Sequence, residues 1–499
     1  MYPIDFFFRA AKLYPDRIAL QSRACTLTYE TLAEKVNALA TAIQAIDPEP
    51  QTRVAICAAN SVDHATAILA VLASGKVWVP LNARSTPSEI KRITDTIEPS
   101  IVISDEKGAE LLEDSAACWL RLDDTGTDIE RNVEHLISRY AGQVPSLNEA
   151  GENATQAIKF TGGTTGLPKG VMQPYRAWTA GIINQVSGWQ ITPDDCFVVT
   201  APVTHGTSTY LLPLLAEGAK LLFLDKTDPA SVIQAFREQG GTMSFMPPTL
   251  IYMVMAHPGV SRSDFPMLRN LIYGGAPMPA EKVDQLRAFF GDVVGTTYGQ
   301  TEAPQIVTMM RPSGFKDPLN RGSVGRCTWL TDMAIMSPEG KLLPNGEAGE
   351  VVVRGHLVMA GYWRLPEKTA ETIVDGWLHT GDVGLVDARG YLFLKDRIRD
   401  VIITGGFNIY PTDVENVLSQ HPAVYECAVF GMPDEKWGEA VHAAVQLHPG
   451  ISCEPDTLIA HVKHLLGSVH APKKIHFFDQ LPHSSVGKVL KTALREHLN

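Results

Sequence analysis

Apolar runs alternate with amphipathic segments along the first hundred residues of the chain. Arg53–Ala58 and Val77–Pro80 are short apolar runs typical of buried strands, and Val62–Leu72 between them has helical periodicity. The same criteria predict a further helix at Glu89–Thr94 and a further strand at Ile101–Ser104. Strands separated by helices indicate right-handed βαβ units, so this pattern predicts a mainly parallel, doubly wound sheet.

The same rhythm returns in the middle of the chain and then changes near Asp332. Before that point, apolar runs that end in turn residues predict strands at Cys196–Thr200, Lys220–Leu224 and Leu271–Gly274. Beyond it, short β-branched or alternating runs are separated by Gly- and Pro-rich turns. They predict a smaller β-rich region, with strands at Glu350–Val353, Val383–Val386 and Tyr391–Leu394.

The last hundred residues have the mixed pattern of a compact α+β module. A chain of 499 residues exceeds one ordinary hydrophobic core, so at least two domains are expected. We predict an α/β protein with a large N-terminal domain of doubly wound sheets plus a β-rich subdomain, followed by a small mobile α+β C-terminal domain. We place the N-terminal domain at residues 1–398 and the C-terminal lid domain at residues 399–499.

Charge and cysteine content narrow the classes of function. Lys and Arg number 43 and Asp and Glu 55, a net charge of −12, which argues against generic nucleic-acid or anionic-membrane binding but not against a local phosphate site. The seven cysteines are scattered without a Cys-x-x-Cys pair, which indicates a reducing compartment. No secretory signal is evident, and the apolar stretch Ala65–Ala73 is too short to span a bilayer. We therefore expect a cytoplasmic protein without a membrane segment. The oligomeric state stays open, a homo-oligomer included.

The segment Thr161–Gly170, TGGTTGLPKG, carries the strongest chemical signal. Its glycines allow backbone N–H groups to approach an anion, its threonines add hydroxyl donors, and Lys169 adds a positive charge. It differs from the G-x-x-x-x-G-K-[ST] loop because Gly170 follows the lysine. The alternative is a flexible surface turn, but such dense repetition of Thr and Gly favours a phosphate-binding loop.

This loop resembles the phosphate loop of the adenylate-forming superfamily, which comprises acyl- and aryl-CoA synthetases, luciferases and peptide-synthetase adenylation domains. Further segments resemble that superfamily in the same order: APVTHG at Ala201–Gly206, YGGAPMP at Tyr273–Pro279, YGQTE at Tyr298–Glu302, GEAGEVVVRG at Gly346–Gly355, GYW at Gly361–Trp363, GWLHTGD at Gly376–Asp382, DRIRDVIITGGFNIYP at Asp396–Pro411 and SSVGKVLK at Ser484–Lys491. The spacing is most similar to that of bacterial acyl- and aryl-CoA ligases.

The resemblance implies an ATP-dependent ligase that joins a carboxylic acid to coenzyme A, through acyl-AMP and with release of pyrophosphate and AMP. ATP, Mg²⁺ and coenzyme A are the implied cofactors, and the acid is expected to be aromatic, alicyclic or fatty. In such chemistry the protein positions the reactants and neutralises developing negative charge. A stand-alone adenylation enzyme that loads a carrier-protein thiol, a luciferase-like oxidase and a non-catalytic ATP-binding scaffold are the alternatives.

The resemblance also implies a role for individual residues. The ATP/AMP site would comprise Thr161, Gly162, Gly163, Thr164, Thr165, Gly166, Lys169, Gly274, Gly275, Ala276, Pro277, Tyr298, Gly299, Thr301, Asp382 and Arg397. Within this site, Tyr298 would stack on adenine, and Asp382 and Arg397 would bind the ribose. Lys488, Glu302, Thr301 and His205 would be catalytic, with Glu302 as the ligand of Mg²⁺. Gly405 and Gly406 would line the path of coenzyme A, and Arg399 would be the hinge of the lid.

For several of these residues a structural role is the alternative. Tyr298 and His205 are also typical of core packing, Asp382 of a turn, Arg397 and Arg399 of an exposed cation, and ITGGFN of a plain hairpin. The acyl pocket is expected near Trp178–Asn184, Thr207–Tyr210 and Gln300–Gln305. The stretch His205–Tyr210 contains no acidic residue that would pair with an α-ammonium group, so we expect acids without an α-amine.

Overall fold

The computed structural model describes residues 2–112, 118–123, 129–146, 149–161, 168–276, 278–483 and 489–498. The strands are β1 Ile18–Gln21, β2 Thr26–Thr28, β3 Arg53–Cys57, β4 Val77–Leu81, β5 Ile101–Ser104, β6 Cys118–Arg121, β7 Thr155–Thr161, β8 Lys169–Pro174, β9 Cys196–Val199, β10 Lys220–Phe223, β11 Met243–Met246, β12 Asn270–Tyr273, β13 Val294–Tyr298, β14 Thr308–Met310, β15 Arg326–Cys327, β16 Thr331–Met336, β17 Ala348–Gly355, β18 Gly361–Tyr362, β19 Ile373–Val374, β20 Trp377–Val386, β21 Leu392–Arg397, β22 Ile402–Thr404, β23 Phe407–Ile409, β24 Val424–Asp434, β25 Gly438–Leu447 and β26 Lys474–Phe477.

The α-helices lie between these strands. They are α1 Pro3–Leu13, α2 Tyr29–Ile46, α3 Val62–Ala73, α4 Pro87–Ile97, α5 Glu106–Glu110, α6 Val133–Arg139, α7 Tyr175–Trp189, α8 Ser208–Ala216, α9 Pro229–Glu238, α10 Pro248–Met255, α11 Ala280–Phe290, α12 Pro366–Thr372, α13 Pro411–Leu418, α14 Pro455–Leu466 and α15 Lys491–Leu498. No helix in the described ranges is long and apolar enough to cross a membrane.

Two large sheets form the N-terminal part of the molecule. The first has the strand order β15-β14-β13-β12-β11-β9-β10-β1-β2, and the second has the order β18-β8-β7-β4-β3-β5-β6. The central strands of both are parallel, with antiparallel pairs only toward the edges, such as β13 with β14 and β7 with β8. The predicted α/β class with doubly wound sheets is therefore confirmed.

The helices and strands predicted near the N-terminus are present with small shifts at their ends. The strand predicted at Ile101–Ser104 has the predicted bounds, whereas the helix predicted at Glu89–Thr94 extends in both directions to become α4. Thr86 caps its start by accepting a hydrogen bond from the backbone N–H of Glu89, and Glu98 ends it in a left-handed conformation with φ of 46°. Capping chemistry rather than hydrophobic periodicity therefore sets the ends of this helix.

One hydrophobic core joins the two large sheets. Buried side chains of the first sheet, such as Phe197 and Leu221, and of the second, such as Val54 and Ile56, belong to one contiguous cluster together with apolar faces of α2, α3, α7 and α8. The helices between the sheets therefore pack on both, which brings the loops that follow the strands of either sheet into one region of the molecule.

Two smaller sheets follow, as the change of pattern predicts. The β-rich region consists of β16, β17, β20 and β19 in that order, with β21 paired to β20. The C-terminal module has the order β23-β22-β25-β24, with β26 paired to β25, and packs α13 and α14 around its own hydrophobic cluster. A short 3₁₀ turn at Ile398–Asp400 connects the two regions.

Candidate active site

The segment 298–305 is the structural centre of the candidate site. It begins where β13 ends, beside the end of the parallel strand β12, and the carboxyl ends of adjacent parallel strands are where α/β proteins bind ligands. Glycine is required here because the chain is crowded. A Cβ atom at Gly274 would lie 2.8 Å from the carbonyl oxygen of Thr297, and one at Gly299 would lie 2.5 Å from the backbone of Gln305. Predicted residues Gly275 and Ala276 follow Gly274 in the same turn, and Gly275 has a φ of 79°.

Asp382 lies buried where this segment meets β20. Its Oδ2 accepts a hydrogen bond of 2.6 Å from the Tyr298 hydroxyl and another of 2.6 Å from Gln300 Nε2. Its Oδ1 pairs with Arg397 Nε at 2.5 Å, because Asp382 and Arg397 are directly opposite in the antiparallel pair β20–β21. Burial, and then the negative charge of Asp382, raises the pKa of Tyr298 well above its usual range, so this hydroxyl remains a donor. Sequence-predicted Tyr298, Asp382 and Arg397 therefore form one cluster.

Glu302 forms a second cluster a few residues farther along the segment. Its Oε1 accepts a hydrogen bond of 2.9 Å from the Tyr362 hydroxyl, and the Lys169 ammonium lies 5.0 Å from the centre of the Tyr362 ring. Burial and the nearby Glu302 carboxylate raise the pKa of Tyr362. The carbonyl of Thr301 accepts a hydrogen bond of 2.8 Å from Gln173 Nε2 on β8. These contacts hold the carboxylate of Glu302 beside the start of β8.

Thr161 and Lys169 face each other at the base of the predicted phosphate loop. They are the last residue of β7 and the first of β8, and their Cα atoms are partners in the antiparallel register. Five further predicted residues of the loop, and two predicted residues elsewhere, lie outside the described residues: Gly162, Gly163, Thr164, Thr165, Gly166, Pro277 and Lys488.

His205 lies on the loop before α8, next to the same segment. Its Nδ1 is 2.9 Å from Thr204 Oγ1, and a Cβ atom at Gly206 would lie 2.5 Å from the side-chain oxygen of Gln305. His205 is exposed to solvent. Desolvation, and then the charge of Lys159, lowers the pKa of His205 to about 4. His205 is therefore neutral at physiological pH.

Gly405 and Gly406 form the two-residue turn between β22 and β23. Both have positive φ, 56° and 81°, which a tight hairpin of this kind requires and which glycine adopts without strain. A Cβ atom at Gly405 would lie 2.9 Å from the ring of Trp437. In the described part of the chain, no hydrogen bond or ion pair joins this hairpin to Glu302 or Asp382. Arg399 is exposed within the 3₁₀ turn.

Two contact residues were not among the predicted site residues, and a third has a different contact from the one expected. Tyr362 bridges Lys169 and Glu302, and Lys159 lies beside His205 and bonds to Ser208. Gln300, which was expected near the acyl pocket, donates to Asp382. Tyr362 and Gln300 stand inside recognised motifs, GYW and YGQTE, and the position within the motif was the available signal. For Lys159 the signal was a single charge inside the apolar run that precedes the phosphate loop.

Comparison with known proteins shows the family of this chain. The AMP-binding enzyme family matches residues 7–363, and the AMP-binding enzyme C-terminal domain matches residues 413–488. Feruloyl-CoA synthase of an Amycolatopsis species is 34% identical over 496 residues, which are 98% of this chain and 97% of the relative.

Two solved structures have the same fold over the whole chain. The amide bond synthetase McbA from Marinactinospora thermotolerans superposes with a TM-score of 0.91 and 30% identity, covering 100% of both chains. ATP-bound MatB from Rhodopseudomonas palustris superposes with a TM-score of 0.89 and 29% identity, covering 100% of this chain and 99% of that one.

The chain therefore belongs to the AMP-binding enzyme family. This confirms the predicted superfamily and the predicted enzyme class, an AMP-forming acid–thiol ligase, with ATP, Mg²⁺ and coenzyme A as the cofactors of that class.

Proposed function

We propose that this protein activates a carboxylic acid with ATP and transfers the acyl group to coenzyme A. In the first half-reaction a carboxylate oxygen bonds to the α-phosphorus of ATP and pyrophosphate leaves, which yields acyl-AMP. In the second, the thiol of coenzyme A replaces AMP. The observation that supports the proposal is the segment 298–305. Tyr298 and Gln300 in this segment bond to the buried carboxylate of Asp382, and Glu302 in the same segment bonds to Tyr362, whose ring lies beside Lys169 at the base of the phosphate loop.

The Asp382 cluster fits a ribose. A carboxylate has about four lone-pair sites, and the three donors Tyr298, Gln300 and Arg397 occupy three of them. One lone-pair site on Oδ1 of Asp382 is left for a first ribose hydroxyl. A second ribose hydroxyl would bind the carboxylate by replacing one of the three protein donors. Gly274 to Pro277 would contact adenine through their backbone. Tyr298 would stack on it with its ring while its hydroxyl remains on Asp382.

The Glu302 cluster fits a magnesium ion bound to phosphate. Mg²⁺ is held by one or two carboxylates plus phosphate oxygens and waters, and it would neutralise charge on the phosphates when bound. Only Oε1 of Glu302 is engaged by a described residue, so Oε2 is left for the metal. Thr301, the residues Thr161 to Gly166 and Lys169 would donate to the phosphates, and Lys488 would place its charge between the carboxylate and the α-phosphate.

The other predicted residues would serve the acid and the thiol. His205, neutral and exposed, would contact the acid. Gly405 and Gly406 would line the route of coenzyme A after the lid, residues 399–499, rotates about Arg399. The acid would be aromatic, alicyclic or fatty and without an α-amine. Feruloyl-CoA synthase, an enzyme named for an aromatic acid, supports this range.

The test is a panel of aromatic, alicyclic, fatty and amino acids, assayed with ATP and Mg²⁺ in the presence and absence of coenzyme A. Pyrophosphate release and thioester formation are measured separately by coupled assay and mass spectrometry. We expect pyrophosphate with at least one acid lacking an α-amine, and thioester only when coenzyme A is present. Pyrophosphate release with none of the acids, or efficient use of a common amino acid, would contradict the proposal.

An amine acceptor is a second candidate, because the amide bond synthetase superposes over the full length of this chain. The same panel with a primary amine or a carrier-protein thiol in place of coenzyme A separates these acceptors. Amide or carrier-bound product at a higher rate than acyl-CoA would replace the thiol ligase with that alternative.

A further inference from the structure

Lys159 is a buried lysine on β7, two residues before Thr161. Alternate residues of a strand point to the same face, so Lys159 shares its face with Thr161, at the base of the phosphate loop. Its side chain is 6% exposed. The ammonium donates to Ser208 Oγ at 2.6 Å and to the carbonyl of His205 at 3.4 Å. It therefore contacts the same loop that carries His205.

The surroundings of Lys159 are aromatic and, among the described residues, contain no counter-ion. Its Nζ lies 5.2 Å from the ring of Trp78 and 5.3 Å from the ring of Trp178. No carboxylate forms an ion pair with it within the described ranges. Lys76, which is buried to a similar degree, does have one, since its Nζ lies 3.4 Å from Asp47. A buried cation without an anion is costly, and burial lowers the pKa of Lys159 to about 7.

Other polar groups beside Lys159 also lack partners. In the described structure, the indole N–H groups of Trp78 and Trp178 and the hydroxyl of Thr207, the neighbour of Ser208, are buried without a hydrogen bond. All three can donate. A site that combines an ammonium without an ion-pair partner in the described residues with unused donors matches a ligand that brings acceptors and negative charge.

The position of Lys159 relates this site to the acid. Trp178 and Ser208 belong to two of the segments predicted to line the acyl pocket, and both contact Lys159. Gln305, from the third segment, has a left-handed φ of 66° and lies against Gly206. The three segments therefore meet around Lys159 and His205, and His205 is exposed to solvent at this place.

We propose that Lys159 is a specificity-determining residue whose ammonium binds a second carboxylate, at the end of the acyl chain remote from the reacting carboxylate. This inference rests on the proposed function and makes the substrate class a dicarboxylic acid that is activated at one end. The distal carboxylate accepts hydrogen bonds from Lys159 and the neighbouring indoles and supplies the missing anion.

The experiment compares acids that differ only at the distal end: suberate with octanoate, and 4-carboxycinnamate with 4-methylcinnamate. For the wild-type enzyme we expect a kcat/KM at least tenfold higher for the dicarboxylate of one pair. Lys159→Met retains an apolar side chain of similar length between the two indoles. We expect the kcat/KM of this variant to fall about 100-fold for the dicarboxylate and to stay within threefold of the wild-type value for the matched monocarboxylate.

Lys220→Met is the matched control, because Lys220 is a partly buried lysine on β10 that bonds to Gln21 away from the site. This variant should have the wild-type kcat/KM for both acids. Thermal melting checks the fold of each variant, and Lys159→Gln replaces Lys159→Met if the latter does not fold.

The pH dependence of the wild-type enzyme is a further test. Its preference for the dicarboxylate, measured as the ratio of the two kcat/KM values, should fall between pH 6.5 and 8.5 as Lys159 loses its proton. His205, the titratable neighbour, is neutral throughout that range.

Two results would overturn the inference. An equal loss of kcat/KM on both acids in Lys159→Met would mean that the lysine acts on the reacting carboxylate or only on the fold. A wild-type preference for the monocarboxylates would exclude the binding of a distal anion. Titration calorimetry of suberate with wild type and Lys159→Met separates this inference from the proposed ligase function, since it needs no turnover. Equal affinities would refute the role of Lys159 even if no acid is activated, and thioester formed from monocarboxylates alone would leave the ligase function standing.

Discussion

At the scale of single residues, the candidate site is organised by carboxylates that several elements hold in place. Asp382 accepts from Tyr298 and Gln300 on one side and pairs with Arg397 on the other. Each donor is itself positioned by a strand or by the segment 298–305. A carboxylate held in this way needs little reorganisation when a polar ligand binds, which is the condition for precise positioning of a nucleotide.

The Asp382→Asn substitution tests this role. The amide keeps the shape of the side chain but removes the negative charge, and hydrogen bonds to charged groups are worth about 1.5–3 kcal/mol. We expect the KM for ATP to rise by about 10- to 100-fold while the KM for the acid changes little. Steady-state pyrophosphate release at varied ATP and varied acid measures both constants.

Asp332→Asn is the matched control for this prediction. Asp332 pairs with Arg354 at the surface of the same β-rich region, where an exposed pair contributes about 0–1 kcal/mol. The KM values of the Asp332→Asn enzyme for ATP and for the acid should equal those of the wild type. An Asp382→Asn enzyme with an unchanged KM for ATP would remove Asp382 from the nucleotide site.

At the scale of secondary-structure elements, the attachment of β26 to β25 includes a pair of histidines. His476 Nε2 lies 3.2 Å from His442 Nδ1, and the two rings are 5.2 Å apart. Desolvation, and then His476 and Lys474, lowers the pKa of His442 to about 4, and desolvation with Lys474 lowers that of His476; Asp434 opposes the shift at His442 only weakly. The pair is therefore neutral in the folded protein at physiological pH.

This pair predicts a loss of stability in acid. Because the folded pKa values are lowered, the unfolded chain takes up protons first. The stabilisation is fully present above the ordinary histidine pKa of about 6.5 and is lost as the pH falls toward 4. We expect the melting temperature to fall less between pH 7.5 and 5 in His442→Gln than in the wild type, by about 2 °C. Differential scanning calorimetry at both pH values measures the difference.

His257→Gln, after α10 in the large domain, is the control and should keep the pH dependence of the wild type. If His442→Gln shows the wild-type dependence as well, the acid sensitivity of the chain has another source than the attachment of β26.

At the scale of the whole molecule, polar contacts join the C-terminal module to the end of β21, next to the 3₁₀ turn. Lys395 pairs with Asp413 at 2.9 Å, and Asp396 accepts hydrogen bonds from the backbone and hydroxyl of Thr412. Ion pairs this accessible contribute about 0–1 kcal/mol. Their loss on rotation would cost little, which is compatible with our proposal that residues 399–499 are a lid that pivots at Arg399.

Arg399→Pro tests the pivot. Proline fixes φ near −65° and restricts the residue before it, so the turn could no longer absorb a large change of backbone angles. We expect the variant to retain one half-reaction near the wild-type rate and to lose most of the other. Pyrophosphate release measures the first half-reaction, and acyl-CoA formation from supplied acyl-AMP measures the second.

Arg399→Lys keeps the backbone freedom and a positive charge, and it should support both half-reactions. Full turnover to acyl-CoA by Arg399→Pro would show that the pivot lies elsewhere, and the proposed boundary at residues 398 and 399 would move with it.

Local sequence pattern was sufficient for most of the secondary structure. Strands such as β3 and β5 and the helix α3 follow from apolar periodicity, because the side-chain periods of strands and helices are set by the backbone itself. The motifs can also be recognised in the sequence, because a turn such as Gly405–Gly406 or a phosphate loop needs particular residues at consecutive positions.

Only the tertiary structure decided which residues meet. Tyr298 and Asp382 are 84 residues apart in the chain, Glu302 and Tyr362 are 60 apart, and Lys159 and Ser208 are 49 apart. Contacts of this kind depend on which strands become neighbours and in what register, and no local period encodes that. The sequence by itself therefore determined the class of fold and the family, while its assignments of individual site residues remain predictions. The partners of Asp382, the bridging role of Tyr362 and the absence of a counter-ion for Lys159 among the described residues depend on packing between distant segments. The tertiary structure alone decided them.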